Sequence, residues 1–250
     1  MKQAVYLDYN ATTPIRPAVV DLACEIMTTP GNASSVHGFG RAARRHVETA
    51  RERVAALAGT QATQVTFTSG ATESNNAVLR LFAGKRIVVS AIEHPAVRSA
   101  MDGLEYAPVT PEGIIDLAAL KSLLETKPAP ALLSVMMVNN ETGVIQPLAD
   151  IVRMARAIHP GILIHTDAVQ AAGRVDVNFQ ALNVDYMSLS AHKMGGPQGV
   201  GALISASGAP VARLLHGGGQ ERRMRAGTEN VAGIAGFGLA AQLALEDMPK

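Results

Sequence analysis

The sequence holds a single cysteine, Cys24, among 250 residues. No intramolecular disulfide can form, which fits a chain kept in the reducing cytoplasm. No apolar run reaches the roughly 18 residues that a membrane span needs. The opening Met1-Lys2-Gln3-Ala4-Val5-Tyr6 also lacks the apolar core of a signal peptide. Charge is nearly balanced, with a formal net of +1, so neither nucleic acid nor an anionic membrane surface is an expected partner. The 7 histidines are scattered, and no pair has the spacing of a zinc motif such as HExxH. No metal site is expected, and no internal repeat or low-complexity stretch stands out.

What is present is a globular composition. Hydrophobic residues make up 48% and charged residues 17% of the chain, enough for one large domain with a sizeable core. Short β-branched or apolar runs alternate with helical patterns. Strands are predicted at Gln64–Thr68, Arg86–Ser90, Ala131–Val138, Ile162–Thr166, Tyr186–Ser190 and Gly201–Ile204. Helices are predicted at Arg41–Ala58, Glu73–Phe82, Pro95–Gly103, Leu117–Glu125, Leu148–Ile158 and Val231–Glu246. In the first of these, Val47, Ala50, Val54 and Leu57 share one face, and Arg44, Glu48 and Arg51 form charge pairs on the other. Such alternation predicts a mostly parallel sheet covered on both faces, a three-layer α/β/α arrangement. Functional residues then gather beyond the carboxyl ends of the strands.

Four strand ends carry candidate chemistry. After Val65–Thr68 comes Ser69-Gly70-Ala71-Thr72, a tight turn into a helix whose N–H groups favour a phosphate; taken alone, the stretch reads more readily as ordinary capping by Ser69 or Thr72. Asp167 closes a buried strand, where an acid is costly unless paired, although it could simply cap the next helix. Ser190, His192 and Lys193 are delivered to a Gly/Pro segment. A lysine in a partly apolar site has a lowered pKa and can form a Schiff base, whereas most lysines are solvated. Glu93-His94-Pro95 offers an imidazole that could stack on a flat ring or be a satisfied loop residue. A further end presents Asn139 and Asn140. Together these supply a phosphate cradle, an acid, a stacking ring and a reactive lysine, the set that a pyridoxal 5′-phosphate (PLP) site requires.

The stretches Tyr6–Pro14, Gly31–Gly38, Thr68–Asn76, Glu93–Pro95, Val138–Gly143, His165–Gln170, Ser190–Lys193 and His216–Thr228 occur in one order along the chain. In this the sequence resembles the cysteine desulfurases of the NifS/IscS kind, within the class V aminotransferases of PLP fold type I. The resemblance implies a PLP-transferase large domain over residues 15–250. Residues 1–14 would be an N-terminal arm belonging to a small domain whose C-terminal part is absent here. It implies that Lys193 anchors PLP and moves the substrate proton, that Asp167 pairs with the ring nitrogen and that His94 stacks on the ring. Asn140 and Gln170 would bond near the ring hydroxyl. Ala71, Thr72, Ser190 and His192 would hold the phosphate, and Thr228 would reach the phosphate of the other subunit in a homodimer. Asn10 and Asn32 would lie near the substrate.

The implied reaction converts L-cysteine to L-alanine and passes sulfur as a persulfide to an acceptor, such as an iron–sulfur scaffold protein. The family's nucleophilic cysteine lies on a C-terminal loop, and the chain stops at Lys250 before any such loop. Cys24 sits in the helical stretch Ala18–Met27 and reads as a buried structural thiol. Gln198 stands where lysine is common after Gly-Pro. Two alternatives remain open: a related PLP lyase, acting on selenocysteine or by β-elimination, and a PLP-binding inactive truncated form.

Overall fold

The computed structural model describes residues 4–211 and 213–248, so Met1 to Gln3 of the predicted arm, and Ala212, Pro249 and Lys250 of the predicted large domain, lie outside the described residues. Among the described residues seven strands form one sheet: β1 (Val65–Thr68), β2 (Ile87–Ser90), β3 (Glu105–Ala107), β4 (Leu132–Ser134), β5 (Leu163–Asp167), β6 (Tyr186–Ser190) and β7 (Gly201–Ser205). Their order is β1-β7-β6-β5-β4-β2-β3. Strand β7 runs antiparallel to both neighbours, and all other pairs are parallel. The carboxyl ends of β1, β2, β4, β5 and β6 therefore share one edge.

The helices are α1 (Pro17–Thr28), α2 (Gly38–Leu57), α3 (Ala71–Leu81), α4 (Pro95–Arg98), α5 (Leu117–Glu125), α6 (Leu148–Ile158), α7 (Phe179–Leu182) and α8 (Val231–Asp247). Two apolar layers enclose the sheet, because successive strand side chains point to opposite faces. Val88, Leu133, Ile164, Met187 and Ala202 pack with α2, α5, α6 and α8. Ile87, Val89, Leu132, Tyr186 and Leu203 pack with Val78 and Leu79 of α3, with Phe82 just after it and with Val97 of α4. This is the expected three-layer α/β/α fold. On the α3 side the strands turn polar toward their carboxyl ends, at Ser134, His165, Asp167, Ser188 and Ser190, all buried. No described helix is long and apolar enough to cross a membrane.

Four expectations are corrected. The strand predicted over Ala131–Val138 regularises only at Leu132–Ser134; beyond it Val135 and Met137 donate to His165 and Asp167 carbonyls while the chain bends toward the site. The helix predicted over Pro95–Gly103 ends at Arg98, tightening through an Ala100-to-Val97 bond before Gly103, at φ +79°, turns into β3. Arg51 pairs with Glu48 as expected, but its side of α2 is covered. Its side chain is buried against Glu221, a partner far along the chain that helical spacing does not reveal. Cys24 is exposed. Val19, Ala23 and Ile26 form the buried stripe of α1, whereas Cys24 shares the neighbouring stripe with Val20 and Met27, which are exposed; an apolar sequence on both stripes does not say which one is covered.

Candidate active site

Ten of the twelve expected site residues line one cleft of about 770 Å³: Asn10, Ala71, Thr72, His94, Asn140, Asp167, Gln170, Ser190, His192 and Lys193. Asn32 and Thr228 lie outside that lining. Asn32 makes a local turn, its Oδ1 accepting from the Ser34 N–H at 2.9 Å. Thr228 is exposed, bordering a separate hollow beside Thr68 and Ser69.

At the end of β1 the chain turns on Gly70, at φ +153°, and enters α3 with no side-chain cap. Neither Ser69 nor Thr72 caps the helix, so its first N–H groups face the cleft unused by the helix itself. Instead the Ser69 N–H donates to Glu73 Oε2 at 2.7 Å, and Glu73 Oε1 takes Arg225 Nε at 3.0 Å. Burial pulls Glu73 up, but these hydrogen bonds from Arg225 and Ser69 outweigh it and hold its carboxyl below the usual range. A Cβ on Gly201 of β7 would stand 2.6 Å from Gly70 Cα and 2.6 Å from the Leu189 carbonyl. Both are backbone atoms that cannot step aside. Gly201→Ala is expected to cost about 1–3 kcal/mol through overpacking, read as a lowered urea midpoint, and to displace the turn that opens α3.

Asp167 is the acid at the floor. It is 5% exposed. Its Oδ1 accepts from the Val169 N–H at 3.0 Å, and Oδ2 accepts from Asn75 Nδ2 at 2.6 Å. Burial pushes its pKa up, against those hydrogen bonds and the charges of His94 and Lys193. It forms no ion pair among the described residues. Below it, the buried ring of His165 bridges Ser134 Oγ at 2.8 Å and Ser188 Oγ at 3.1 Å. Burial lowers His165 to about 3, so this strut across β4, β5 and β6 is neutral. Asn75 and the Ser–His–Ser strut were missed by sequence reading. The available signal was polar residues at positions whose spacing otherwise marks buried faces.

His94 caps α4, its Nδ1 accepting from the Ala96 N–H at 3.1 Å. That bond fixes the ring and leaves Nε2 to carry the proton of the neutral form. Loop residue and cleft residue are thus the same histidine. Lys193 follows β6 in a short 3-10 turn. Its Nζ donates to the Asn10 and Ala11 carbonyls of the N-terminal arm. Partial burial, and then the positive charge of Arg174, hold its pKa below the usual lysine value, enriching the nucleophilic free amine. The arm is bound to this segment: Thr13 N donates to the His192 carbonyl at 2.9 Å, Thr13 Oγ1 to the Lys193 carbonyl at 2.8 Å, and Gln170 Nε2 to the Asn10 carbonyl at 3.0 Å. Burial and the adjacent Lys193 lower the pKa of His192.

The cleft thus offers a buried acid with no ion-pair partner among the described residues, a helix N-terminus and a nucleophilic amine. They fit one flat group that bears a protonated ring nitrogen, an anionic phosphate and an aldehyde. Gln198, read as a minor departure, also lines the cleft.

Comparison with known proteins places the chain in a family. The profile of the aminotransferase class-V family matches residues 5–249. The chain is 44% identical to a cysteine desulfurase IscS of Dictyoglomus turgidum, covering all of this chain and 66% of that one. It therefore spans about two thirds of the length of that curated relative. Among solved structures, a NifS-like protein from Rickettsia africae superposes with a TM-score of 0.93 at 38% identity, over 98% of this chain and 70% of that one. A structure described as SspA in complex with cysteine superposes with a TM-score of 0.85 at 33% identity, over 99% of this chain and 74% of that one.

Proposed function

Because this chain belongs to the aminotransferase class-V family, on its NifS-like side, we propose that its cleft binds L-cysteine and activates it for desulfuration. PLP is the cofactor of the family, and when bound it supplies an electron sink that acidifies Cα of an amino acid attached through its amine. The observation that carries the reading is the placement of Lys193 and Asp167 on two walls of one cleft that opens onto the N-terminus of α3.

Each residue then has a task. Asp167, buried and in no ion pair among the described residues, would hold a proton on the ring nitrogen. His94 would stack on the ring, oriented by its bond from the Ala96 N–H. Asn140 and Gln170 bond near the ring hydroxyl. Ala71, Thr72, Ser190 and His192 hold the phosphate. Lys193 would anchor the cofactor, and its amine would carry a proton at Cα. Asn10 is on the substrate side, on an arm that covers Lys193. Sulfur leaves as a persulfide on a thiol, with L-alanine as the other product, and goes on to an acceptor such as an iron–sulfur scaffold protein. That thiol is not Cys24, which is outside the cleft lining. A homodimer, in which Thr228 reaches the partner's phosphate site, and a cytoplasmic setting complete the reading.

The test adds L-cysteine to the PLP-loaded chain. L-cysteine is expected to shift the visible band, with little sulfide released even with a reductant, since no cysteine lines the cleft. A band indifferent to L-cysteine but shifted by another amino acid overturns the substrate assignment. Brisk sulfide release overturns the placement of the thiol outside the cleft.

A further inference from the structure

Glu93 is used by none of these steps, yet it is 3% exposed and stands just before His94. Its Oε1 accepts the N–H of Met136, in the loop after β4. Asn139 Nδ2 joins the same two loops again, donating to the Ile92 carbonyl at 3.0 Å. These loops carry His94 and Asn140. Glu93 Oε2 is buried with no partner. The Ser90 side chain, whose Oγ is also buried and unpartnered, faces this carboxyl. No lysine, arginine or histidine pairs with Glu93 among the described residues.

The charged group coupled to Glu93 is Asp167 on β5; His94 follows it in the chain, and Lys193 acts from beyond Asp167. Two buried, interacting carboxylates without a paired cation do not both ionise. Asp167 is the better supplied. Each has a backbone donor and a facing side chain, Asn75 for Asp167 and Ser90 for Glu93, but only Asp167 also has the attraction of His94 and Lys193. The proton therefore belongs on Glu93.

We propose that Glu93 is a positioning residue that works as an uncharged acid: it clamps the His94 loop to the Met136–Asn140 loop, and it leaves Asp167 as the one negative charge behind the cleft. The inference rests on the assignment of His94 and Asp167 to the cofactor. Burial, and then the charge of Asp167, push Glu93 up to about 8. The folded chain thus keeps a proton that the unfolded chain loses above its ordinary value of 4.5. Stability from this group is complete below that value and is lost as pH rises through about 8.

The test compares wild type with Glu93→Gln, which keeps an acceptor and a donor but cannot ionise, and with Glu93→Ala. Unfolding of the full chain without PLP is followed in urea from about pH 6 to 8. There the unfolding constant of wild type is expected to rise roughly tenfold more per pH unit than that of E93Q. With PLP, E93Q is expected to bind within about threefold of wild type and E93A at least about tenfold more weakly. Parallel pH dependences of wild type and E93Q overturn the uncharged acid. E93Q binding PLP as poorly as E93A overturns the clamp. If E93A does not fold, E93Q decides both, retained binding supporting the clamp and a loss of about tenfold or more overturning it. A wild type that takes up no PLP sinks the functional reading, while the pH dependence still decides the charge of Glu93.

Discussion

Glu221→Ala is expected to destabilise the chain by about 3–5 kcal/mol, the cost of leaving a buried charge without its partner. Glu221 takes Arg51 Nη2 at 2.8 Å and Nη1 at 2.9 Å, and also accepts the Phe67 N–H of β1 at 2.8 Å. The Arg51 guanidinium lies over the Phe67 ring, 4.8 Å from its centroid. Burial pulls the Arg51 pKa down, but the bonds and charges of Glu221 and Glu48 outweigh it and raise the value. Without Glu221, Arg51 keeps only the half-exposed Glu48 and a carbonyl, and the Phe67 N–H is orphaned. The pair also holds Glu221, Arg222 and Arg223 at φ +43°, +55° and +68°, a left-handed run that L-residues resist. Urea unfolding measures the loss, and proteolysis near Arg222 reports release of the segment that ends at Thr228. Replacing both Arg51 and Glu221 by apolar residues is expected to cost less than Glu221→Ala alone, because no charge is then stranded.

Lys193→Ala is expected to fold and to slow exchange of the Cα hydrogen of L-alanine, the proposed product, by about 10²–10⁴-fold in the PLP-loaded chain. The side chain supports the fold only through two arm carbonyls, while the backbone bonds of Thr13 to His192 and Arg16 to Gly195 keep the arm in place. What is lost is the amine proposed to carry the proton at Cα, whose pKa burial and Arg174 hold below the usual lysine value. Exchange into deuterated water, followed by NMR, reads this step without any sulfur chemistry. Undiminished exchange in the variant assigns the proton to another group, with His94 next in line.

Much of this was legible in the sequence because strand and helix periods are local. Tyr186–Ser190, Leu117–Glu125 and Leu148–Ile158 fold over their predicted spans, and β1, β2, β4, β5 and β6 deliver the expected residues to one edge. Strand β3 was missed because Glu105-Tyr106-Ala107 has one buried residue and lies at the sheet border. Its existence depends on a neighbour rather than on its own pattern. The one-turn α7 was missed for lack of length. The Glu48–Arg51 pair forms as expected, but the burial of Arg51 and the exposure of Cys24 were not legible, for a shared reason. Helical spacing says which residues share a stripe, not which stripe another element covers. Within the site, residues at strand ends could be read, whereas Asn75, His165 and Glu93 matter through partners that only the packed sheet brings near.

Borohydride reduction of the PLP-treated chain, followed by peptide mass mapping, tests the anchor directly. One cofactor fixed on Lys193, and none in Lys193→Ala, is the expected result. No fixed cofactor, or label spread over other lysines with Lys193 unmarked, contradicts the assignment of this cleft.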